Sequence, residues 1–172
     1  MKAEERGEVR HEYVNGLIYA MVGGTARHNL ITSTVTSTLK RHLKGKPCHV
    51  FMSDMKVRVD DTFYYPDVMV VCETIDMKSL YQTAPTLIVE VLSVSTEAKD
   101  RLEKLAAYQS LSSVKEYVLL AQDKVLADIY RRDGNEWNIE SLSYGDTIHL
   151  TSVGYTGPVE TFYEDVTGVS GE

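Results

Sequence analysis

Only two cysteines occur among the 172 residues, Cys48 and Cys72. They form no CxxC pair and no Cys/His spacing suited to zinc, so neither a disulfide framework nor a structural zinc site is indicated. Reduced thiols in a cytoplasm are the expectation. Long apolar runs are also missing: none approaches the roughly 18 residues that a membrane span needs. The start, MKAEERGEVR, is charged throughout rather than signal-like. These absences predict a soluble, unexported, cytoplasmic protein with no membrane partner. A surplus of positive charge is absent as well. Eighteen Lys and Arg stand against 25 Asp and Glu, a net charge of -7. That balance argues against a surface that coats nucleic acid indiscriminately, though not against a local basic groove. Lys40, Arg41, Lys44 and Lys46 crowd together in TLKRHLKGKP, as do Lys99, Arg101 and Lys104 in AKDRLEK. Each group also suits an ordinary helix end or solvated helix face. The serines have no GxSxG setting and the histidines no HExxH pair. GGT, before a helix signal, lacks the Walker spacing and its lysine.

What is present suits one domain over residues 1–172, with a flexible tail at 166–172. The composition is 43% hydrophobic, and no low-complexity linker divides it. HEYVNGLIYAMVGG reads as a hairpin turning at Asn15-Gly16, the dipeptide that most readily supplies positive φ. Leu30, Ile31, Val35, Leu39 and Leu43 recur at helical spacing from about Arg27 to Lys44, and Gly45 and Pro47 end that helix. HVFMSDMKVRV, YYPDVMVV and TLIVEVLS then read as strands of one sheet. In STEAKDRLEKLAAYQSL, Leu102, Leu105, Ala106 and Leu111 mark a second helix packed on that sheet, with Ser95 or Thr96 as N-cap. Three further strands, KEYVLLA, VLADIYRR and WNIESLS, lead into an irregular tail. The order predicts a mixed α/β domain in which the second helix links parallel strands.

Two acids do not belong in such strands. Glu90 shares a strand face with Ile88 and Leu92 while Leu87, Val89 and Val91 take the other, and an ionised carboxylate there is costly unless something compensates it. Asp67 follows Pro66, which suits a strand start because it has no N–H to donate. If the two strands are adjacent, the acids converge. Paired carboxylates are the minimal protein contribution to a Mg²⁺ site, and a metal-bound water can then act as nucleophile. Lys104 is the candidate cation, on one helical face with Asp100 and Tyr108. The alternative is an exposed Asp100–Lys104 pair of small energetic weight.

Pro66-Asp67 on one strand and Glu90 on the next resemble the PD-(D/E)XK signature of restriction-endonuclease-like nucleases. The longer succession EYVNGLIYAM, RHN, SDMKVRV, YYPDVMVV, LIVEVLSVST and DRLEKLAAY resembles the Uma-type restriction endonuclease family of bacteria over nearly the whole chain. The resemblance implies a restriction-endonuclease-like core, a mixed central sheet flanked by helices. It also implies a Mg²⁺-dependent phosphodiesterase, with Mn²⁺ as a substitute ion, in which Asp67, Glu90 and the backbone carbonyl of Val91 hold the metal. The superfamily lysine would stand two residues after the acid, where this chain has Leu92. Lys104 matches the place from which this family supplies it, and Lys56 is the fallback. Glu12 matches an acid of the family pattern but also suits an exposed hairpin. His28 at a helix start, Asp54 in a strand and Asp100 beside Lys104 are accessory candidates with equally ordinary structural explanations. DNA is the implied substrate. A homodimer is compatible with cutting two strands, although no sequence feature establishes one. The competing expectations are a catalytically inactive binding module on the same fold, for nucleic acid or protein, and a purely structural domain in which Glu90 pairs with Lys104.

Overall fold

The computed structural model describes residues 11–14, 17–20, 24–93, 96–166 and 168. Strands β1 (His11–Val14) and β2 (Leu17–Ala20) pair antiparallel from His11↔Ala20 to Val14↔Leu17. The Asn15-Gly16 turn expected between them lies outside the described residues. Helix α1 (Ala26–His42) opens on Thr25, whose side chain accepts from the His28 N–H, and carries Lys40, Arg41 and His42 in its last turn. Cap and closing cations both offset backbone groups that a helix end leaves unpaired. Ile31, Val35, Leu39 and Leu43 are buried as their spacing predicts, while Leu30 is 40% exposed.

HVFMSDMKVRV, which reads as one strand, is two. Ser53 adopts φ 43°, a left-handed conformation that breaks a strand, so β3 (His49–Met52) and β4 (Lys56–Val59) enter different sheets. β4 pairs with β5 (Thr62–Tyr64) and, in parallel, with the short β7 (Tyr81–Gln82). With β2 and β1 they form a sheet ordered β2-β1-β5-β4-β7. The central mixed sheet is ordered β11-β10-β9-β8-β6-β3. Its members are β3, β6 (Val68–Val71), β8 (Leu87–Val91), β9 (Glu116–Leu120), β10 (Leu126–Asp133) and β11 (Glu136–Ser143). β8 and β9 are parallel, as a helical crossover between them requires, and its other pairings are antiparallel.

The crossover is α2 (Glu97–Lys99), a π-helical turn (Asp100–Lys104) and α3 (Leu105–Ser110). The apolar spacing does not predict its inward face. Leu102 is 72% exposed, whereas Asp100, Lys104 and Tyr108 are buried. Polar groups can take that face because they satisfy one another and the strand beneath.

Alternation along β8 divides the interior. Leu87, Val89 and Val91 pack with α1, while Ile88 and Leu92 join Tyr64, Tyr108 and Tyr117 beneath the crossover helix. The tail is not irregular: β12 (Thr147–Leu150), β13 (Tyr155–Pro158) and a 3₁₀ helix (Val159–Tyr163) bury Ile148, Leu150, Val159 and Phe162 completely. Their apolar positions are too short and scattered to show a period. Nor are the cysteines reduced. Cys48 precedes β3 and Cys72 follows β6, and the antiparallel register His49↔Val71 sets them side by side, with Cα atoms 4.0 Å apart in a disulfide. Register alone brings them together, a relation that cysteine spacing does not reveal.

Candidate active site

The register Val68↔Val89 and Met69↔Ile88 carries on by one residue to set Asp67 beside Glu90. The two acids are stitched through backbone. The Asp67 N–H donates to Glu90 Oε2 at 3.2 Å and the Val91 N–H donates to Asp67 Oδ2 at 2.8 Å. Glu90 is 2% exposed on the tyrosine-lined side of β8, as strand alternation dictates.

The crossover helix supplies the compensation. Lys104 Nζ lies 3.0 Å from Glu90 Oε1 and 3.0 Å from Asp100 Oδ1, and the Tyr108 hydroxyl donates to the same Glu90 oxygen at 3.1 Å. Asp100 Oδ1 makes its ion pair without a well-directed hydrogen bond to any described group. The exposed Asp100–Lys104 pair that spacing allows is therefore a buried one, with Asp100 1% and Lys104 5% exposed. The π turn arranges this. Asp100 and Lys104 lie at its two ends with Tyr108 of α3 four residues on, all three buried, and such turns recur at functional sites. Two contacts fix its position: the Tyr117 hydroxyl donates to the Asp100 carbonyl at 3.1 Å, and Arg101 reaches Asp128 of β10 at 2.8 Å.

Electrostatics follow from this enclosure. Burial pushes the Glu90 carboxyl well above its ordinary range; Lys104 opposes the rise, and Asp100 and Asp67 add to it. His28, in the first turn of α1, places Nε2 3.0 Å from Asp67 Oδ2. Burial lowers the affinity of its imidazole for a proton. The hydrogen bond and charge of Asp67, with help from Asp100, outweigh burial and Lys104, and its pKa is raised above 6.5.

The remaining candidates stand on other elements or at other positions of the chain. Lys56 lies on β4 with Nζ 5.4 Å from the Tyr65 ring. Asp54 is exposed in the turn between β3 and β4. Glu12 lies on β1 opposite Tyr19, and its side chain is outside the described residues. Leu92, in the place of the superfamily lysine, is buried. Sequence reasoning missed Gln122. Its Nε2 donates to the Leu92 carbonyl at 2.6 Å and its Oε1 accepts from Thr25 Oγ1 at 2.5 Å, tying the end of β8 to the start of α1. A glutamine between strands carries no local signal of such a role. Tyr117 was legible only as an apolar member of its strand.

Among the described residues no three His, Cys, Asp or Glu side chains converge as a ready metal-binding group. The donor chemistry at Asp67 and Glu90 still fits a hard divalent ion. Both offer only oxygen, Glu90 from β8 and Asp67 from the residue before β6, and Mg²⁺ takes one or two carboxylates while keeping water or substrate oxygens on its other positions. Asp67 opens toward solvent, its side chain 17% exposed.

Comparison with known proteins agrees with this architecture. A crystal structure titled as a putative nuclease belonging to DUF820, from Anabaena variabilis ATCC 29413, superposes with a TM-score of 0.78 over 92% of each chain at 17% sequence identity, a likeness of fold. Two proteins of Synechocystis sp. (strain ATCC 27184 / PCC 6803 / Kazusa), both described as uncharacterized, are similar in sequence. The first, slr1290, is 38% identical over 164 residues, covering 93% of this chain and 86% of its own length. The second, sll1609, is 29% identical over 148 residues, covering 83% and 84%. The sequence model of the Uma2 family, described as "Putative restriction endonuclease", matches residues 1–159. The chain belongs to the Uma2 family.

Proposed function

We propose that this protein is a divalent-metal-dependent nuclease that hydrolyses DNA phosphodiester bonds at the Asp67–Glu90 pair. One observation carries the reading: Glu90, stitched through backbone to Asp67 of the neighbouring chain segment, meets a buried lysine delivered by the crossover helix, with Nζ 3.0 Å away. This is the constellation that the missing lysine at Leu92 put in question. Asp67 and Glu90, with the Val91 carbonyl, would hold Mg²⁺ or Mn²⁺. When bound, the ion would polarise a phosphoryl oxygen and promote ionisation of the attacking water.

The chain's own groups do the rest. Lys104 offsets negative charge in a low-dielectric setting, where a fixed cation acts far more strongly than in water. Asp100 and Tyr108 fix where Lys104 and Glu90 point. His28 restrains the more exposed acid and holds a proton 3.0 Å from it.

A second reading has its own support. Both Glu90 oxygens already have protein partners, which suits a nuclease fold kept as a binding module with a closed polar network. Incubation of supercoiled plasmid and single-stranded DNA with Mg²⁺, Mn²⁺ or EDTA separates the two. Metal-dependent cutting that is lost in Asp67→Ala, Glu90→Ala and Lys104→Ala supports the nuclease. Absence of cutting, or cutting indifferent to all three changes, rejects this site as its catalytic centre.

A further inference from the structure

The sequence KVRV of β4 alternates cleanly. Val57 and Val59 are buried in the tyrosine-lined core, and Lys56 and Arg58 stand half-buried on the opposite face. Pairing extends that outer face. Arg58↔Phe63 brings in the half-buried Phe63, and the parallel register Lys56↔Tyr81 brings in the half-buried Tyr81. Arg58 meets both rings. Arg58 Cζ lies 6.0 Å from the centre of the Phe63 ring and 5.9 Å from that of Tyr81. Those rings meet edge to face at 5.4 Å. Lys56 Nζ lies 5.4 Å from the Tyr65 ring, and Pro66 and Asp67 follow directly. The strip thus leads along the chain into the acid pair.

We infer that this outer face of the five-stranded sheet is a platform for single-stranded DNA beside the scissile bond. The inference rests on the nuclease reading for the site to which it leads. Its chemistry selects the occupant. An aliphatic face would offer nothing to a phosphate, and a purely cationic one nothing to a base. Aromatic rings alternating with cations match a strand whose bases are unpaired: bases stack on rings while phosphates approach Lys56 and Arg58. A duplex keeps its bases stacked inside and would use only the cations. Arg58 is partly restrained, since its Nε donates to the Asp60 carbonyl at 2.7 Å, and it meets the fully exposed Asp61 at 3.5 Å. These contacts steady the guanidinium rather than enclose it, for 41% of its side chain remains exposed.

The test is fluorescence anisotropy in EDTA, which separates binding from cleavage. The probes are a labelled oligothymidylate and a duplex of equal length. The wild-type protein should bind the single strand more tightly, and Tyr81→Ala and Phe63→Leu should each weaken that binding about tenfold while barely changing the duplex. Arg58→Ala should lower the dependence of log affinity on log salt by about one. Equal affinity for the two probes, or wild-type binding by variants whose circular dichroism and melting show them folded, overturns the platform. If Phe63→Leu fails to fold, Tyr81→Ala on the two-residue strand decides. The two proposals fail separately. Binding that depends on the rings in a protein that cuts nothing keeps the platform and removes hydrolysis, whereas cutting by variants that bind like wild type does the reverse.

Discussion

Lys104 Nζ lies 3.0 Å from Glu90 Oε1 across 14 residues of chain, both groups being nearly closed to solvent. A buried ion pair adds little over well-packed apolar groups, but removing one partner strands the other's charge. Lys104→Met should therefore destabilise the protein by about 3–5 kcal/mol. Without the lysine, Glu90 can escape by binding a proton, so the loss should be smaller at acid pH and grow as pH rises. Glu90→Gln in the same chain should recover much of it. Urea denaturation of the single and double variants across pH measures this, and equal losses at every pH would show that Glu90 is not left charged.

A divalent ion held by the acid pair binds the native state alone and must stabilise it. At a hundredfold excess over the dissociation constant the gain is about 2.7 kcal/mol. Thermal melts with Mg²⁺ or Mn²⁺ against EDTA should show a rise that disappears in Asp67→Asn and Glu90→Gln. A rise of the same size in both variants would place the ion elsewhere.

Glu90 was legible because a carboxylate in a strand of Val, Ile and Leu violates burial chemistry, and strand alternation correctly set the face on which it lies; Asp67 was legible from its place after Pro66, where a strand starts. The central sheet was legible for a related reason: its strands are short, apolar and separated by polar turns. The helix face was not. Periodicity assigns Leu102 inward and leaves Asp100 and Lys104 to solvent, because it scores side chains one at a time and cannot see that two charges and a tyrosine compensate one another against β8. Ser53 is likewise invisible as a break, since a serine amid strand-like residues carries no signal for positive φ. Tyr117 and Gln122 act through a hydroxyl and an amide whose partners are distant in sequence, so only the fold reveals them.

His28 should make stability depend on pH. Burial works to lower its pKa, but the Asp67 hydrogen bond and charge prevail and raise the folded value above 6.5. The native state then binds this proton more tightly than the unfolded chain does, so the contribution is fully present below pH 6.5 and is lost as pH rises through the folded value. In the metal-free protein, Asp67→Asn removes the main cause of the rise and leaves burial in place. NMR titration of the imidazole should accordingly find the pKa lower in the variant than in the parent. An unchanged value would mean that the His28–Asp67 contact does not persist in solution.

The disulfide lies at the end of the β3–β6 pairing remote from Asp67, and this separates its effect on stability from any effect on chemistry. Closing a loop between residues 24 apart in sequence restricts the unfolded chain by about 3.5 kcal/mol in the chain-entropy account. Dithiothreitol should lower the denaturation midpoint correspondingly, Cys48→Ser should reproduce the drop, and the reductant should have no further effect on that variant. Because β6 is also held by β8 up to Val68↔Val89, the acids should keep their positions, and whatever metal binding the oxidised protein shows should persist after reduction. A midpoint indifferent to dithiothreitol would indicate that the thiols are reduced in solution, as the sparse cysteine content alone leads one to expect. Loss of metal binding on reduction would instead show that strain at the far end of β6 reaches Asp67, making the disulfide part of the site's support.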